Sequence, residues 1–455
     1  MTECIQESFE FVQHFSRLVV AQFDGGWVSS DGGGLLLRQT DRKIRLLERV
    51  ASGFTDRRSP WLLQHELREM LAQRIYGLAL GYEDLNDHEQ LRRDPLLGLL
   101  AGKQEIDKPL AGKSTLNRME LTPAAAAAAH QRYHKISYSP EPLDALLVDI
   151  FLEAHTAAPP AQIVLDLDVT DTPLHGEQEQ RFFHGYYRHY CYLPLYIFCG
   201  EHLLCARQRS SNQDASAGAR EEVERIVEQI RARWPKVKII LRADSGFCRE
   251  ELMAWCEAHQ VHYVFGLARN QRLERKIAPA LGQAKSEHQQ SGQAARVFVE
   301  FLYQTRKSWS CARRVVAKAE YLDKGANPRF VVTSLTTQGW AARELYEQLY
   351  CARGEMENRI KEQLSLFADR MSTETLRANQ LRLYFSSFAY VLVQALRRLA
   401  LAGTALAKAQ VSTIRLRLLK IAAELRLSAR RVWLRYPRSY PWKPLFAAAW
   451  AALRC

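Results

Sequence analysis

The 455-residue sequence has no pair of cysteines at CxxC spacing, and its nine cysteines, an odd number, are scattered from Cys4 to Cys455. That pattern excludes the framework of a small disulfide-stapled secreted domain and argues for a reducing compartment. Between Met1 and Leu18 there is no basic start followed by an apolar core, so no secretory leader is expected. A membrane span is not expected either. The longest apolar stretch, Tyr384 to Leu396, is interrupted by Ser386, Ser387 and Gln394 and predicts a buried core helix. Acid is scarce at the C-terminal end: from Leu401 to Cys455 a single glutamate, Glu424, stands against eleven lysines and arginines. The whole chain carries a formal net charge of +13, and most of that excess lies in this tail. Such a localised cationic surplus points to a polyanion, with nucleic acid ahead of a membrane surface. Hydrophobic residues at 47% and charged residues at 25% fit a folded chain with a substantial core, long enough for several domains.

The most informative stretch is AQIVLDLDVTDTPLHG, residues 161 to 176. Ile163, Leu165 and Leu167 alternate with Val164, Asp166 and Asp168, and a strand has a side-chain period of two, so both aspartates project from one face. Two carboxylates at the exit of a buried strand can hold a hard divalent cation through oxygen ligands. The same pattern also fits a strand whose acids face solvent.

Residues 1 to 158 are expected to be mostly helical. Asp31 before Gly32, Gly33 and Gly34 predicts a glycine turn and N-cap ahead of LLLRQTDRKIRLLERV rather than a phosphate cradle. Ser114 is expected to cap STLNRMEL, a surface helix or a helix-turn-helix element after Lys103, Lys108 and Lys113. The alanine run 124–129 is a strong helix former. Small residues and the double proline at 157–160 predict a linker. Beyond it, YYRHYCYLPLYIFCG and EHLLCARQRS read as a hairpin turning at Gly200 and Glu201. A helix ending at Pro235, the buried strand VKIILRADSG, a second helix and the strand VHYVFGLARN follow. The β-rich runs of 270–338 read as an insertion, after which helix resumes at Trp340.

The order of strands and helices is that of an α/β ribonuclease H-like mixed sheet with a β-rich insertion, flanked by helical N-terminal and basic C-terminal regions, although order alone would also suit other mixed sheets. The expected divisions are 1–158, 159–269 with 339–400, 270–338, and 401–455. Asp168 and Asp244 end strands that can lie side by side, and Glu357 lies on the later helix with Tyr350, Arg353 and Lys361 at three- and four-residue spacing. Three acids from two strands and a helix could form a two-metal site for phosphodiester chemistry.

On these residues the chain resembles the DDE transposases of bacterial insertion sequences, in the branch marked by tyrosine, two residues, arginine, three residues and glutamate. Tyr350, Arg353 and Glu357 match that spacing, RADSGF matches the second motif at Asp244, and DLDVT matches the first at Asp168. The resemblance extends over most of the chain. It implies catalytic and metal-binding roles for Asp168, Asp244 and Glu357, with Mg2+ or Mn2+ as cofactor. It further implies double-stranded DNA as partner, a homodimer or higher multimer on paired ends, and a bacterial cytoplasmic, nucleoid-associated location. Asp166 and Asp171 stay open as alternatives to Asp168. The family usually places a lysine seven residues after the glutamate. Leu364 stands there, and Lys361 is expected to take over its phosphate contact. DNA contacts are expected from Tyr350, Arg353 and Lys361, and from Arg430, Arg431 and Arg435 in the tail.

Rival chemistries fit less of the chain. DLDVT also suits a DxDxT phosphatase with Asp166 as nucleophile, but that chemistry needs a lysine and an acidic pair at a later strand end, and the chain after Leu335 supplies neither. A catalytically inactive DNA-binding protein on the same fold is the non-enzymatic alternative. His175, His184, His189, Cys191, Cys199 and Cys205 lack tight zinc-ligand spacing. Trp309 is expected as a core or hairpin tryptophan rather than a base-stacking one.

Overall fold

The computed structural model describes residues 8–121, 123 and 133–454; the alanine run 124–129 lies outside them. The chain forms two compact units, one from Met1–Ala51, Arg58–Arg118 and Ala395–Cys455, the other from Ser52–Arg57 and Met119–Gln394. No helix among the described residues is long and apolar enough to cross a membrane.

The larger unit is a mixed α/β structure around a nine-stranded sheet. Its principal strands are β1 (Gln162–Val169), β2 (Leu195–Cys199), β3 (His202–Arg207), β4 (Lys238–Ala243), β5 (His262–Leu267), β6 (Ala295–Tyr303), β7 (Arg313–Leu322) and β8 (Arg329–Thr333), with Gly325–Ala326 pairing to β7. Their spatial order is β3, β2, β1, β4, β5, β8, β7, β6. β1, β4 and β5 run parallel, while the flanking pairings are antiparallel. The three parallel strands are mostly apolar because both faces are covered, with Asp166 and Arg242 a charged pair on the second face. Ile163, Leu165, Leu167, Ile239 and Leu241 face a core shared with helices α1 (Ala219–Arg233) and α2 (Glu250–Ala258). Ile240 and Val264 face the opposite side, against Leu345, Tyr346 and Leu349.

Several segments differ from the sequence expectation. YYRHYCYLPLYIFCG does not form one strand: Thr172–Pro173, His189–Tyr192 and Phe182–His184 form a separate small sheet, and β2 begins only after Pro194, which has no N–H to give a ladder. The hairpin turn at Gly200 is present, with φ of 57°. Residues 270–338 open with two helices, Gln271–Lys276 and Ala278–Ser291, the first capped by the Asn270 side chain, which accepts from Arg272 and Leu273 N–H at 3.0 Å. Their strands then join the main sheet through the antiparallel β5–β8 pairing, because β5 offers an open edge. Trp309 is buried, edge-on to Tyr303 with centroids 5.7 Å apart. Within Leu376–Ala400 the apolar stretch is buried as expected, and the Tyr384 hydroxyl donates to Asp144 at 2.6 Å.

The smaller unit is less helical than its sequence suggested. Ser8–His14 and Arg17–Gln22 form an exposed hairpin, and Trp27–Ser29 joins Ala423–Ser428 and Arg431–Arg435 in a three-stranded sheet. β-branched and aromatic alternation in these segments outweighed the helical neighbourhood. The Asp31 glycines serve close packing. A Cβ on Gly33 would stand 1.9 Å from the Leu418 carbonyl, and Gly32 N–H donates to the Ile421 carbonyl at 2.7 Å. Asp31 does not cap the following helix, Gly34–Ile44; its carboxylate takes the Tyr82 hydroxyl at 2.6 Å and Lys420 at 2.7 Å. Likewise Ser114 is not a cap, since the helix starts at Lys113, whose N–H donates to Glu89 at 2.8 Å.

Candidate active site

Asp168 lies next to the last residue of β1, and Asp244 follows directly on β4. β1 and β4 are adjacent and parallel, with Leu167 opposite Ala243, so both acids emerge at the same end of the sheet. The third element arrives from the face opposite α1 and α2. Leu345, Tyr346 and Leu349 pack on Ile240, Val264, Val316 and Val331 and fix the start of the helical segment that carries Tyr350, Arg353 and Glu357. That segment is irregular: Leu345–Tyr350 is a π turn, Cys351–Arg353 a 3-10 turn, and only then does α3 (Gly354–Leu364) begin. Wide and tight turns in succession reset the helical phase, and such π segments recur at functional sites.

Arg353 holds the cluster together. Its guanidinium donates to the Asp168 carboxylate at 3.0 Å and lies 3.9 Å from Glu357. The Asp168 carboxyl is pushed up to about 6, first by burial and then by Asp244 and Glu357, while Arg353 opposes the rise. Burial by itself would lower the Arg353 pKa, but Asp168, Tyr350, Asp244 and Glu357 together raise it. The Tyr350 hydroxyl is raised by burial and again by Asp244, against Arg353. These five residues therefore form one electrostatically coupled group. The 3.0 Å contact and the raised Asp168 pKa pull in opposite senses: desolvation outweighs the ion pair, and at neutral pH the carboxyl is still ionised.

Asp244 is half-buried and its carboxylate accepts the Gly246 N–H at 2.8 Å. A Cβ on Gly246 would come within 2.9 Å of that same carboxylate, which accounts for glycine in RADSGF.

The other two candidates for the first acid are differently engaged. Asp166 is buried and takes a forked contact from Arg242, Nε to Oδ1 at 2.5 Å and Nη2 to Oδ2 at 2.8 Å, across the β1–β4 register. Arg242 also donates to the Leu349 carbonyl at 2.6 Å, tying the strands to the π turn. Burial raises the Asp166 carboxyl, and Arg242 opposes that rise. Asp171 pairs with His189 at 2.8 Å. Lys361 lies on the exposed side of α3, one turn beyond Glu357. Arg430, Arg431 and Arg435 are exposed in the smaller unit.

Three participants were not singled out by sequence reasoning. Arg242 could have been found by pairing β1 and β4 in parallel, which sets it opposite Asp166. Gly266 lies on β5 under Tyr350, where only the absence of a side chain makes room. Tyr187 has its ring 6.1 Å from that of His189, the partner of Asp171, and its hydroxyl is pushed up to about 12 by burial and then by Asp171 and Asp168; nothing in the sequence marked it.

The fit of this donor set to a metal is poor in geometry and good in chemistry. Among the described residues no three His, Cys, Asp or Glu side chains stand close enough together to hold one ion. Arg353, in contact with Asp168 and near Glu357, carries the positive charge of the cluster. The chemistry nevertheless fits: all three acids offer hard oxygen donors, and repulsion from its two fellow acids adds to the rise at Asp168.

Residues 11–455 match the family described as Transposase DDE domain group 1. No curated protein matches the chain. Among solved structures, a cryo-EM structure of a piggyBac transposase synaptic complex with hairpin DNA matches 86% of this chain and 80% of its own, at 11% identity and a TM-score of 0.42.

Proposed function

We propose that this chain, which belongs to the transposase DDE domain group 1 family, is an insertion-sequence DNA transposase that cuts phosphodiesters at its element's ends and joins the freed 3′ hydroxyls to target DNA. The observation that carries the reading is geometric: Asp168 and Asp244 emerge at one end of the sheet, and Arg353 stands 3.0 Å from Asp168 and 3.9 Å from Glu357. The strand order β3, β2, β1, β4, β5, with β2 antiparallel to β1, supports a ribonuclease H-like classification. Asp168, Asp244 and Glu357 would hold Mg2+ or Mn2+, which when bound eases approach of a nucleophile to an anionic phosphodiester and stabilises the leaving oxygen. Arg353 is placed beside these acids to donate to non-bridging phosphate oxygens, a contact for which a guanidinium fork is well shaped. Tyr350, held against β5, presents its hydroxyl beside Asp244 to orient the scissile strand. Lys361 adds a cation one turn farther along, and Arg430, Arg431 and Arg435 grip backbone phosphates. In the first step a water oxygen bonds to phosphorus as the P–O3′ bond breaks. In the second the freed 3′ hydroxyl loses its proton and its oxygen bonds to a target phosphorus as the target's own P–O3′ bond breaks, its 3′ oxygen leaving with a proton. The family reading includes a multimer on paired ends.

The phosphatase reading needs Asp166 as nucleophile. Both oxygens of that carboxylate are occupied by Arg242, which disfavours it. The decisive experiment is alanine replacement of Asp168, Asp244 and Glu357 in turn, assayed on a duplex bearing the element ends. Each variant is expected to lose metal-dependent cleavage while binding within about twofold of the parent. Full cleavage in any one variant removes that residue from the site, and a parent that binds ends without ever cutting favours the inactive DNA-binding protein.

A further inference from the structure

The three-stranded sheet of the smaller unit has a face on which the proposed phosphate contacts of Arg431 and Arg435 leave Trp433 without a role. Its register sets Glu424 opposite Arg435, Arg426 opposite Trp433 and Ser428 opposite Arg431, with Val28 opposite Glu424 on the other side. Cross-strand partners share a side and neighbours along a strand alternate, so Arg426, Arg431, Trp433, Arg435 and Val28 lie on one face. Trp433 is 49% exposed and Val28 62%. The Arg431 guanidinium stands 5.5 Å from the Trp433 ring centroid. Glu424, the acid on that face, is engaged by Arg426 at 2.7 Å. The result is an open indole flanked along its own strand by Arg431 and Arg435, for which no ion pair is seen among the described residues.

The chemistry of the occupant follows from that combination. An acidic surface would satisfy the arginines and leave a large indole in water without purpose. Duplex DNA offers phosphates, but its bases are stacked on one another inside the helix. An unpaired DNA strand uses both features, because every base has a π face for the ring and a phosphate on each side for the cations. We propose that this face binds unpaired DNA, with a base stacked on Trp433 and flanking phosphates held by Arg431 and Arg435. The proposal rests on the reading that the chain acts on DNA, and it adds a preference for unpaired strands at a sheet of the smaller unit.

The test uses the full chain and fluorescence anisotropy with a labelled oligodeoxythymidylate and a duplex of equal length, each at several salt concentrations. Trp433→Ala is expected to weaken binding of the single strand about 5- to 150-fold, the range for one stacked base. Duplex affinity should stay within about twofold and the salt slope of the single strand should not change. Trp433→Phe should retain most of the affinity, and Trp433→Leu, apolar but without a ring, should behave like alanine. Arg431→Ala with Arg435→Ala should instead flatten the single-strand slope by about 0.7 for each phosphate no longer neutralised. The proposal is overturned if Trp433→Leu folds and binds the single strand as the parent does, if single strand and duplex lose equally, or if the parent does not bind the single strand. A parent that prefers the single strand through Trp433 but never cuts end-bearing DNA would sink the transposase reading and leave this one standing.

Discussion

The hydroxyl of Tyr350 lies 2.7 Å from the point where a Cβ on Gly266 would stand, and the Ser245 amide nitrogen lies 2.9 Å from that same point. The missing side chain of β5 is thus what lets the π turn and the Asp244 turn come together. Gly266→Ala is expected to destabilise the protein by about 1–3 kcal/mol, typical of overpacking, and to lower end cleavage at least tenfold. Thermal melting and a cleavage assay on the same sample check both. Unaltered cleavage would mean that Tyr350 and Asp244 need not keep their spacing.

Asp166 and Asp168 share one strand face and should respond in opposite ways to substitution. Asp166→Ala strands a buried Arg242, and removing one partner of a buried pair costs about 3–5 kcal/mol. Asp168→Asn removes a carboxylate whose burial outweighs its pairing, so stability at pH 7 should equal or exceed that of the parent while cleavage disappears. Urea denaturation separates the two. Equal destabilisation would undo the division of labour between these acids.

His88 provides a pH signature in the smaller unit. It is fully buried, the Arg74 guanidinium lies 3.2 Å from its Nε2, and burial followed by Arg74 lowers its pKa to about 3. The unfolded chain takes up a proton near pH 6.5 that the folded chain refuses, so stability is intact above 6.5 and falls as the pH drops toward 3. The decrease between pH 7 and 5 from this group alone is about 2 kcal/mol. His88→Gln should shrink the difference between denaturation free energies measured at those two pH values, whatever its effect on their level. An unchanged difference would show that His88 titrates normally.

Neutralising Arg430, Arg431 and Arg435 together should weaken duplex binding and reduce the salt slope by roughly 0.9 for each phosphate no longer neutralised. The measurement is log affinity against log salt concentration, with Trp433 left in place. A parallel line of lower affinity would assign these arginines to something other than phosphates.

What could be seen in the sequence was largely what period and order encode. The alternation in 162–169 and the continuous apolar run before Asp244 are signatures of covered strands, and the order of strands and helices anticipated a large mixed sheet. Spacing along a helix likewise put Tyr350, Arg353 and Glu357 near one another, although it assumed a regular helix where the backbone goes through a π and a 3-10 turn. Less accessible were relations that depend on register between distant strands. Asp166 looks like Asp168 until Arg242 is set opposite it, and nothing local says that Gly266 must lie under a tyrosine hydroxyl. The hairpin of 8–22 is local and its alternation was there to be read, whereas the strand Trp27–Ser29 was hidden for a similar reason, since three residues are too few to signal a strand until the partner at 423–428 is known.

That last pairing bears on how the protein is made. Trp27–Ser29 finds its neighbouring strand, and Gly32 and Gly33 their packing surface, in residues 418–428, which leave the ribosome only after the whole larger unit has been synthesised. A chain stalled before Ile421 therefore carries its three acids but lacks both other strands of the Trp27–Ser29 sheet, so the sheet of the smaller unit forms only after translation has passed residue 435.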